Sequence, residues 1–159
     1  MNNINVKNSG QFCHIFCLSN SACSNAYNLV EPILQFAFPD VSSINVSRGK
    51  ANLLMKDSIY PDNYYHAPHT DVSIDDPSLS KYSKESFKSV LYYVNDSDGD
   101  TFFFNEKLGD SGPVTINKRI TPKANTAIIF DSNIYHASSS PKITERRLVI
   151  NFVCTLENI

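Results

Sequence analysis

From Val41 onward the chain is a succession of short apolar segments rich in Ile, Val, Tyr and Phe, divided by Asn, Asp, Gly and Pro. Segments of this length and composition are typical of β-strands, and the dividing residues favour turns. The predicted strands are residues 50–55, 89–94, 101–105, 114–120, 126–130 and 148–154. Since no helical pattern separates them, the sequence argues against a parallel α/β sheet and favours an all-β sandwich or barrel.

A single helical pattern precedes these strands. Ser19-Asn20-Ser21 has the composition of a helix cap, and apolar residues recur at helical spacing from Ala22 to Leu34. Pro32 lies inside the pattern, where it breaks or kinks a helix. We therefore expect a mainly β fold, a double-stranded β-helix or jelly-roll, with one or two N-terminal helices packed on one face.

Length and charge narrow the class of protein. The chain has 159 residues, 42% of them hydrophobic, which is enough for one domain with its own core. The net charge of -2 argues against a nucleic-acid partner. No apolar run is long enough for a membrane span, and the polar start does not resemble a secretory signal. We expect a cytoplasmic protein of a bacterium or of a viral host cell.

The four cysteines are expected to be reduced thiols. Three of them, Cys13, Cys17 and Cys23, lie close together near His14, but they lack the paired C-x2-C spacing of a structural zinc site. A cytoplasmic protein rarely forms disulfides.

Three residues are candidate metal ligands. His69-Thr70-Asp71 has the form H-x-D, and in extended backbone residues i and i+2 point to the same face. His136 follows the predicted strand 126–130 and the turn Asp131-Ser132-Asn133. Two histidines and one carboxylate on one face of a β scaffold form the facial triad that suits non-haem Fe(II), with open coordination positions on one side.

Two arginines, Arg146 and Arg147, stand at the start of the last apolar strand. A buried arginine without a partner is costly. Either both side chains are solvated at the edge of the strand, or one of them receives a dicarboxylate through its planar fork.

The order H-x-D, distal His, then Arg about ten residues later resembles that of the 2-oxoglutarate and Fe(II)-dependent oxygenases, and within them the prolyl 4-hydroxylase-like branch. Tyr60-Pro61-Asp62-Asn63 resembles the Y-P-G loop that leads into H-x-D. Leu91-Tyr92-Tyr93-Val94-Asn95 resembles a Y-Y-L-N strand of the oxygen-sensing prolyl hydroxylases. The resemblance extends from Tyr60 to Phe152.

Two further motifs match with a glycine replaced. Gly99-Asp100-Thr101-Phe102 resembles G-G-x-T-x-F with Asp98 at the first glycine, and the segment 121–130 resembles P-K-x-G-x-x-x-x-F with Asn125 at the glycine. Asp and Asn tolerate left-handed backbone better than most residues. We therefore expect Asp98 and Asn125 to adopt it.

The resemblance implies a role for each candidate residue. His69, Asp71 and His136 would hold Fe(II), and 2-oxoglutarate would be the cosubstrate, with O2 as co-reactant and ascorbate as a candidate reductant. Arg147 is preferred over Arg146 for the far carboxylate of 2-oxoglutarate, since family members carry a small polar residue four positions later and Asn151 stands there. The remaining cosubstrate-pocket candidates are Tyr93, Tyr60 and Thr101.

The implied reaction is hydroxylation of an unactivated C–H bond with release of succinate and CO2, and the branch favours peptidyl proline. The substrate would be a peptide or a small molecule, and the polar segment 75–85 after H-x-D is a candidate mobile substrate loop. Three alternatives stay open: a catalytically silent jelly-roll binding module, a hydroxylase of a free amino acid or nucleobase, and a cupin-like metal enzyme without 2-oxoglutarate. We expect residues 1–159 to form one oxygenase domain.

Overall fold

The computed structural model describes residues 10–61, 63–75 and 83–157, and this part of the chain is mainly antiparallel β. The predicted substrate loop lies largely outside the described residues. The strands are β1 (Gln11–Leu18), β2 (Ser21–Ala22), β3 (Ser43–Met55), β4 (Phe87–Tyr93), β5 (Thr101–Lys107), β6 (Ile116–Ile120), β7 (Thr126–Asp131), β8 (Ile134–Ser138) and β9 (Arg146–Glu157). The helices are α1 (Tyr27–Val30) and α2 (Pro32–Ala37), and Lys84–Ser86 form a 3-10 turn.

The strands form two sheets. One has the order β2-β1-β3-β9-β4-β7, and the other has the order β6-β5-β8, extended by an isolated bridge between His69 and His136. From β3 onward the pairing is nested: β3 pairs with β9, the His69 segment with β8, β4 with β7, and β5 with β6. A folded antiparallel ribbon pairs its strands in this way, so the architecture is consistent with a jelly-roll.

The last strand, β9, faces two environments. Ile150, Phe152 and Cys154 belong to the core cluster beneath the helices, together with Val30 and Leu34. The alternate residues of β9 point to the other side of the sheet, because successive side chains of a strand point to opposite faces. The same strand therefore anchors the helices on one face and lines the space between the sheets on the other.

The helical region is shorter than the sequence predicts. Ser19 and Asn20 are not a helix cap: they have positive φ angles of 47° and 61° and form the turn between β1 and β2. The helices occupy only residues 27–37 and are divided at Glu31-Pro32, which makes them one short, interrupted helical stretch. Proline at the first position of α2 is the physical reason for the division, since it cannot donate a backbone hydrogen bond to α1.

One of the two expected left-handed residues is found. Asn125 has a φ of 58°, as its place at a glycine position predicts. The expectation for Asp98 is wrong, because Asp98 does not have positive φ. Its carboxylate instead accepts hydrogen bonds from the backbone of residues 142–144 and from the Thr144 hydroxyl, at 2.7 to 2.9 Å.

Two smaller observations complete the fold. All four cysteines are free, two exposed and two buried. Among the described residues, no helix has both the length and the apolar character that crossing a membrane requires.

Candidate active site

His69 and His136 are positioned by direct backbone pairing. The amide of each donates to the carbonyl of the other at 2.9 Å, which brings the segment after residue 68 alongside β8. Asp71 is fixed two residues later, where its amide donates to the carbonyl of Ser132 at 2.9 Å. Since His69 and Asp71 lie two residues apart, their side chains share one face, and β8 delivers His136 to that face.

Backbone contacts select the tautomer of both histidines. Nδ1 of His69 lies 3.2 Å from the carbonyl of Ala67, and Nδ1 of His136 lies 3.1 Å from the carbonyl of Ile134. A carbonyl oxygen can only accept, so each Nδ1 carries the proton. Nε2 of each ring then keeps its lone pair, which is the arrangement that metal-binding histidines normally have.

Asp71 is the buried carboxylate of the site, with its side chain only 1% exposed. The Ser89 hydroxyl donates to Oδ2 at 2.7 Å, Arg48 donates to Oδ1 at 2.8 Å, and the Asn151 amide lies 3.2 Å from Oδ2. Burial alone would raise the pKa of Asp71, but His136, Arg48 and the Ser89 hydroxyl outweigh it and lower that pKa. Asp71 is therefore a carboxylate at neutral pH.

The three side chains are suited to one metal ion. Their donor atoms lie within 4.8 Å of one another, and no other group of this kind occurs in the described part of the chain. Oδ2 of Asp71 and Nε2 of His136 are 3.6 Å apart. Two donors each about 2.1 Å from one ion have a separation of this size. Burial lowers the pKa of His136, so its imidazole is neutral and free to bind a metal. The donor set therefore fits Fe(II).

A buried cation lies in the same cavity. Arg147 is 2% exposed, and its guanidinium donates from Nε to the carbonyl of Gly99 at 2.8 Å and from Nη2 to the Thr101 hydroxyl at 2.9 Å. Burial lowers its pKa to about 10, which leaves it charged at neutral pH. No carboxylate of the described residues forms an ion pair with it, whereas the nearby Asp100 pairs with Arg119. A buried charge without a counter-charge costs several kcal/mol.

Other candidates surround this cation. Thr101 and Asn151 line the cavity with Arg147, His69 and His136. Tyr93 is buried beside it, with its hydroxyl 2.8 Å from that of Thr101 and its ring 6.0 Å from the Arg147 guanidinium. The structure thus brings together the metal triad and four of the five candidates for the cosubstrate.

Tyr60 is the candidate that the structure does not bring to this cavity. Its ring stacks on Tyr64 with centroids 4.0 Å apart, and both line a separate cavity of about 300 Å³ with Asp57 and Lys142. Arg146 is also outside, since it is exposed where Arg147 is buried. The alternation of β9 explains the difference between the two arginines.

Several residues at the site have no place in the sequence-based prediction. Ser89 and Arg48 contact Asp71, and Gln11, Lys50 and Asn52 line the cavity. Arg48, Lys50 and Asn52 alternate along β3, so they share one face. This period of two in polar residues is the signal that could have identified them.

A model of the 2OG-Fe(II) oxygenase superfamily matches residues 55–154, well over half of the chain. Together with the triad and the buried guanidinium, this match defines the class: the protein belongs to the 2OG-Fe(II) oxygenase superfamily. Fe(II) is accordingly its cofactor and 2-oxoglutarate its cosubstrate, and O2 is implied. A search of curated proteins gives no match.

Solved structures show the same fold at low sequence identity. A 2OG-Fe(II) oxygenase family oxidoreductase from Burkholderia pseudomallei is 13% identical with a TM-score of 0.58, over 93% of this chain and 67% of that one. HygX from Streptomyces hygroscopicus, solved with nickel and 2-oxoglutarate bound, is 17% identical with a TM-score of 0.53, over 91% of this chain and 69% of that one.

Proposed function

We propose that this chain is a 2-oxoglutarate-dependent hydroxylase of an unactivated C–H bond, with Fe(II) held by His69, Asp71 and His136. The observation that carries the proposal is the charge of Arg147, which is buried in the cavity of the triad and has no carboxylate partner among the described residues. Such a cation needs a negatively charged ligand, and a dicarboxylate that reaches from the metal to this residue supplies it.

The two ends of the cavity have different roles: one end holds the metal, and the other binds the second carboxylate of 2-oxoglutarate. When bound, iron and 2-oxoglutarate supply with O2 the oxidising power for hydroxylation, and succinate and CO2 are released. At the metal end, the backbone contacts of both histidines hold their Nε2 lone pairs toward the ion, and Ser89 and Arg48 keep Asp71 ionised.

At the far end, Arg147 offers charge to the second carboxylate of 2-oxoglutarate. Its Nε and one Nη2 hydrogen bond are already used by Gly99 and Thr101, which hold the guanidinium plane in place. The hydroxyls of Thr101 and Tyr93 add polar contacts beside the same carboxylate. Preorganised donors of this kind bind a charged ligand without having to reorder on binding.

The favoured substrate is a prolyl residue of a peptide. The support comes from the sequence motifs of the prolyl 4-hydroxylase-like branch, above all Tyr92-Tyr93 on β4 and the H-x-D pair. The exposed position of His69 at the end of the cavity leaves the metal end open to a large substrate. We also propose that residues 1–159 form one oxygenase domain, which carries both the metal site and the cosubstrate site.

The experiment is a search for oxygen transfer. The protein is incubated with Fe(II), 2-oxoglutarate, O2 and ascorbate and with a library of proline-containing peptides, and mass spectrometry follows a gain of one oxygen. We expect a proline-dependent gain that disappears without 2-oxoglutarate. Succinate release with no oxygenated peptide would contradict the prolyl substrate, and no succinate in any mixture would favour a silent binding module.

A further inference from the structure

Lys50 is a second cation in the cavity, at the level of the metal. In the pairing of β3 with β9 it lies directly opposite Asn151, whose amide contacts Asp71 at 3.2 Å. Its neighbour on the same face, Arg48, donates to Asp71 at 2.8 Å. Arg147 lies four residues along β9 from Asn151, about 13 Å at 3.3 Å per residue. Lys50 and Arg147 therefore serve different ends of the cavity.

Lys50 is half-buried, and no carboxylate of the described residues lies within ion-pair distance of it. It forms no hydrogen bond with any residue that the structure describes, and the carboxylate of the site, Asp71, pairs with Arg48 instead. Burial and the nearby Arg48 charge lower the pKa of Lys50, although the Asp71 carboxylate opposes this shift. Opposite it, Oδ1 of Asn151 is buried and has no hydrogen-bond partner in the part of the chain that the structure describes. An unpaired donor and an unpaired acceptor thus face each other across the metal end.

With Fe(II) and 2-oxoglutarate bound, the positive charges of the site outnumber the negative ones. Fe(II) brings two positive charges, and Arg48, Lys50 and Arg147 bring one each. Asp71 and the two carboxylates of 2-oxoglutarate do not neutralise them. Positive charge therefore stays in excess at the metal end, where the substrate has to approach, and it selects for a negatively charged group.

We propose that Lys50 binds a carboxylate of the primary substrate, next to the C–H bond that is hydroxylated, with Asn151 accepting from a neighbouring donor of the same substrate. This inference rests on the proposed function, since it takes the metal and 2-oxoglutarate sites as given. The carboxylate has two possible sources: the α-carboxylate of a terminal or free proline, or an acidic side chain beside a peptidyl proline.

The test measures binding rather than turnover. Protein loaded with nickel(II) and 2-oxoglutarate is titrated by calorimetry with two pairs of probes. N-acetyl-L-proline is compared with its amide, and the blocked dipeptide amide of proline and aspartate is compared with that of proline and asparagine. We expect the acidic member of at least one pair to bind at least tenfold more tightly than the neutral member, and the pair that shows this identifies the source.

Variants assign the preference to Lys50. In Lys50→Met the preference should fall to within about twofold, because the positive charge is removed. Lys50→Arg should retain most of the preference, because it keeps the charge. The tenfold preference of the wild type corresponds to about 1.4 kcal/mol. Lys118→Met, a change at an exposed lysine of β6, is the matched control and should keep the wild-type preference.

A preference that survives Lys50→Met, or the absence of any preference or binding in the wild type, would overturn the inference. So would a Lys50→Met variant whose main defect is weaker binding of 2-oxoglutarate itself, since Lys50 would then serve the cosubstrate. Failure of the proposed function would appear earlier, as an inability of the nickel-loaded wild type to bind 2-oxoglutarate.

Discussion

Arg147 donates a hydrogen bond to the hydroxyl of Thr101 at 2.9 Å, and neither residue is more than 2% exposed. The contact joins β9 to β5, and so it ties the two sheets together at the end of the cavity away from the triad. Burying a charged side chain in this position costs desolvation free energy, which opposes the stabilising contact between the sheets. A ligand that neutralises it makes the arrangement favourable.

Replacing Arg147 should therefore weaken the binding of 2-oxoglutarate more than the binding of the metal. Arg147→Ala should raise the KM for 2-oxoglutarate at least tenfold, because a charge-assisted hydrogen bond contributes about 1.5–3 kcal/mol and the ligand carboxylate is left unpaired. Steady-state kinetics of succinate release measure the change. Arg146→Ala, at the exposed neighbour, is the matched control and should alter the KM by less than about twofold. Reversed effects of the two variants would contradict the position of Arg147.

Gly99 should be required for its lack of a side chain. A Cβ on Gly99 would lie 2.6 Å from the carbonyl oxygen of Ser139 and 3.0 Å from Cδ of Arg147. Gly99→Ala should lower the free energy of unfolding by about 1–3 kcal/mol, the usual cost of overpacking, and should also raise the KM for 2-oxoglutarate. Urea denaturation measures the first effect. Gly10→Ala, where a Cβ meets nothing within 4 Å, should be close to neutral, and equal effects at the two positions would refute this account.

The Ser89 hydroxyl should support the metal through Asp71. Ser89→Ala removes the 2.7 Å hydrogen bond to Oδ2, which helps to lower the pKa of Asp71. Because protons compete with the metal for the carboxylate, the variant should lose metal at a higher pH than the wild type, and its affinity should fall about 10–100-fold. Metal titrations across pH measure both. Ser42→Ala, at an exposed serine whose hydroxyl donates to the carbonyl of Glu157, should leave both unchanged.

Asp98 should stabilise the loop that leads into β9. Its four accepted hydrogen bonds lower its pKa in the folded protein, although burial opposes this shift. A depressed pKa contributes stability above the unfolded value near 3.9 and loses it as the pH falls through the folded value. Asp98→Ala should therefore cost about 1–3 kcal/mol at pH 7, and the difference from wild type should shrink below about pH 4. A pH-independent difference in denaturation experiments would contradict the charge-based explanation.

Much of the architecture could be predicted because it depends on local pattern. Apolar segments bounded by turn residues predict the strands 50–55 and 126–130, which lie inside β3 and β7, and the strand 89–94, which overlaps β4 up to Tyr93. Strand β8 is not predicted because it is only five residues long, and three of these residues are polar or aromatic. Strand β1 has no alternating pattern to predict it, because its first five residues are all exposed and only two of its eight residues are buried.

The site was predictable where one element contains the information. The H-x-D spacing fixes two donors on a common face, and the four-residue step from Arg147 to Asn151 selects one face of β9. The period of two in β3 could place Lys50 on a polar face, but the position of Lys50 and Ser89 beside Asp71 arises only when β3 and β4 pair with β9. Tyr60 illustrates the reverse case: the motif around it resembles the family, but its ring stacks on Tyr64 in another cavity.

The central claim is that one metal ion, held by His69, Asp71 and His136, makes this chain turn over 2-oxoglutarate. The direct measurement is succinate formed from 2-oxoglutarate with Fe(II) and O2, compared between wild type, His136→Ala and the remote control His14→Ala, whose ring contacts Ser24 on the other side of β1. We predict succinate from wild type and His14→Ala and none above background from a folded His136→Ala. Equal succinate from His136→Ala and wild type would contradict the account.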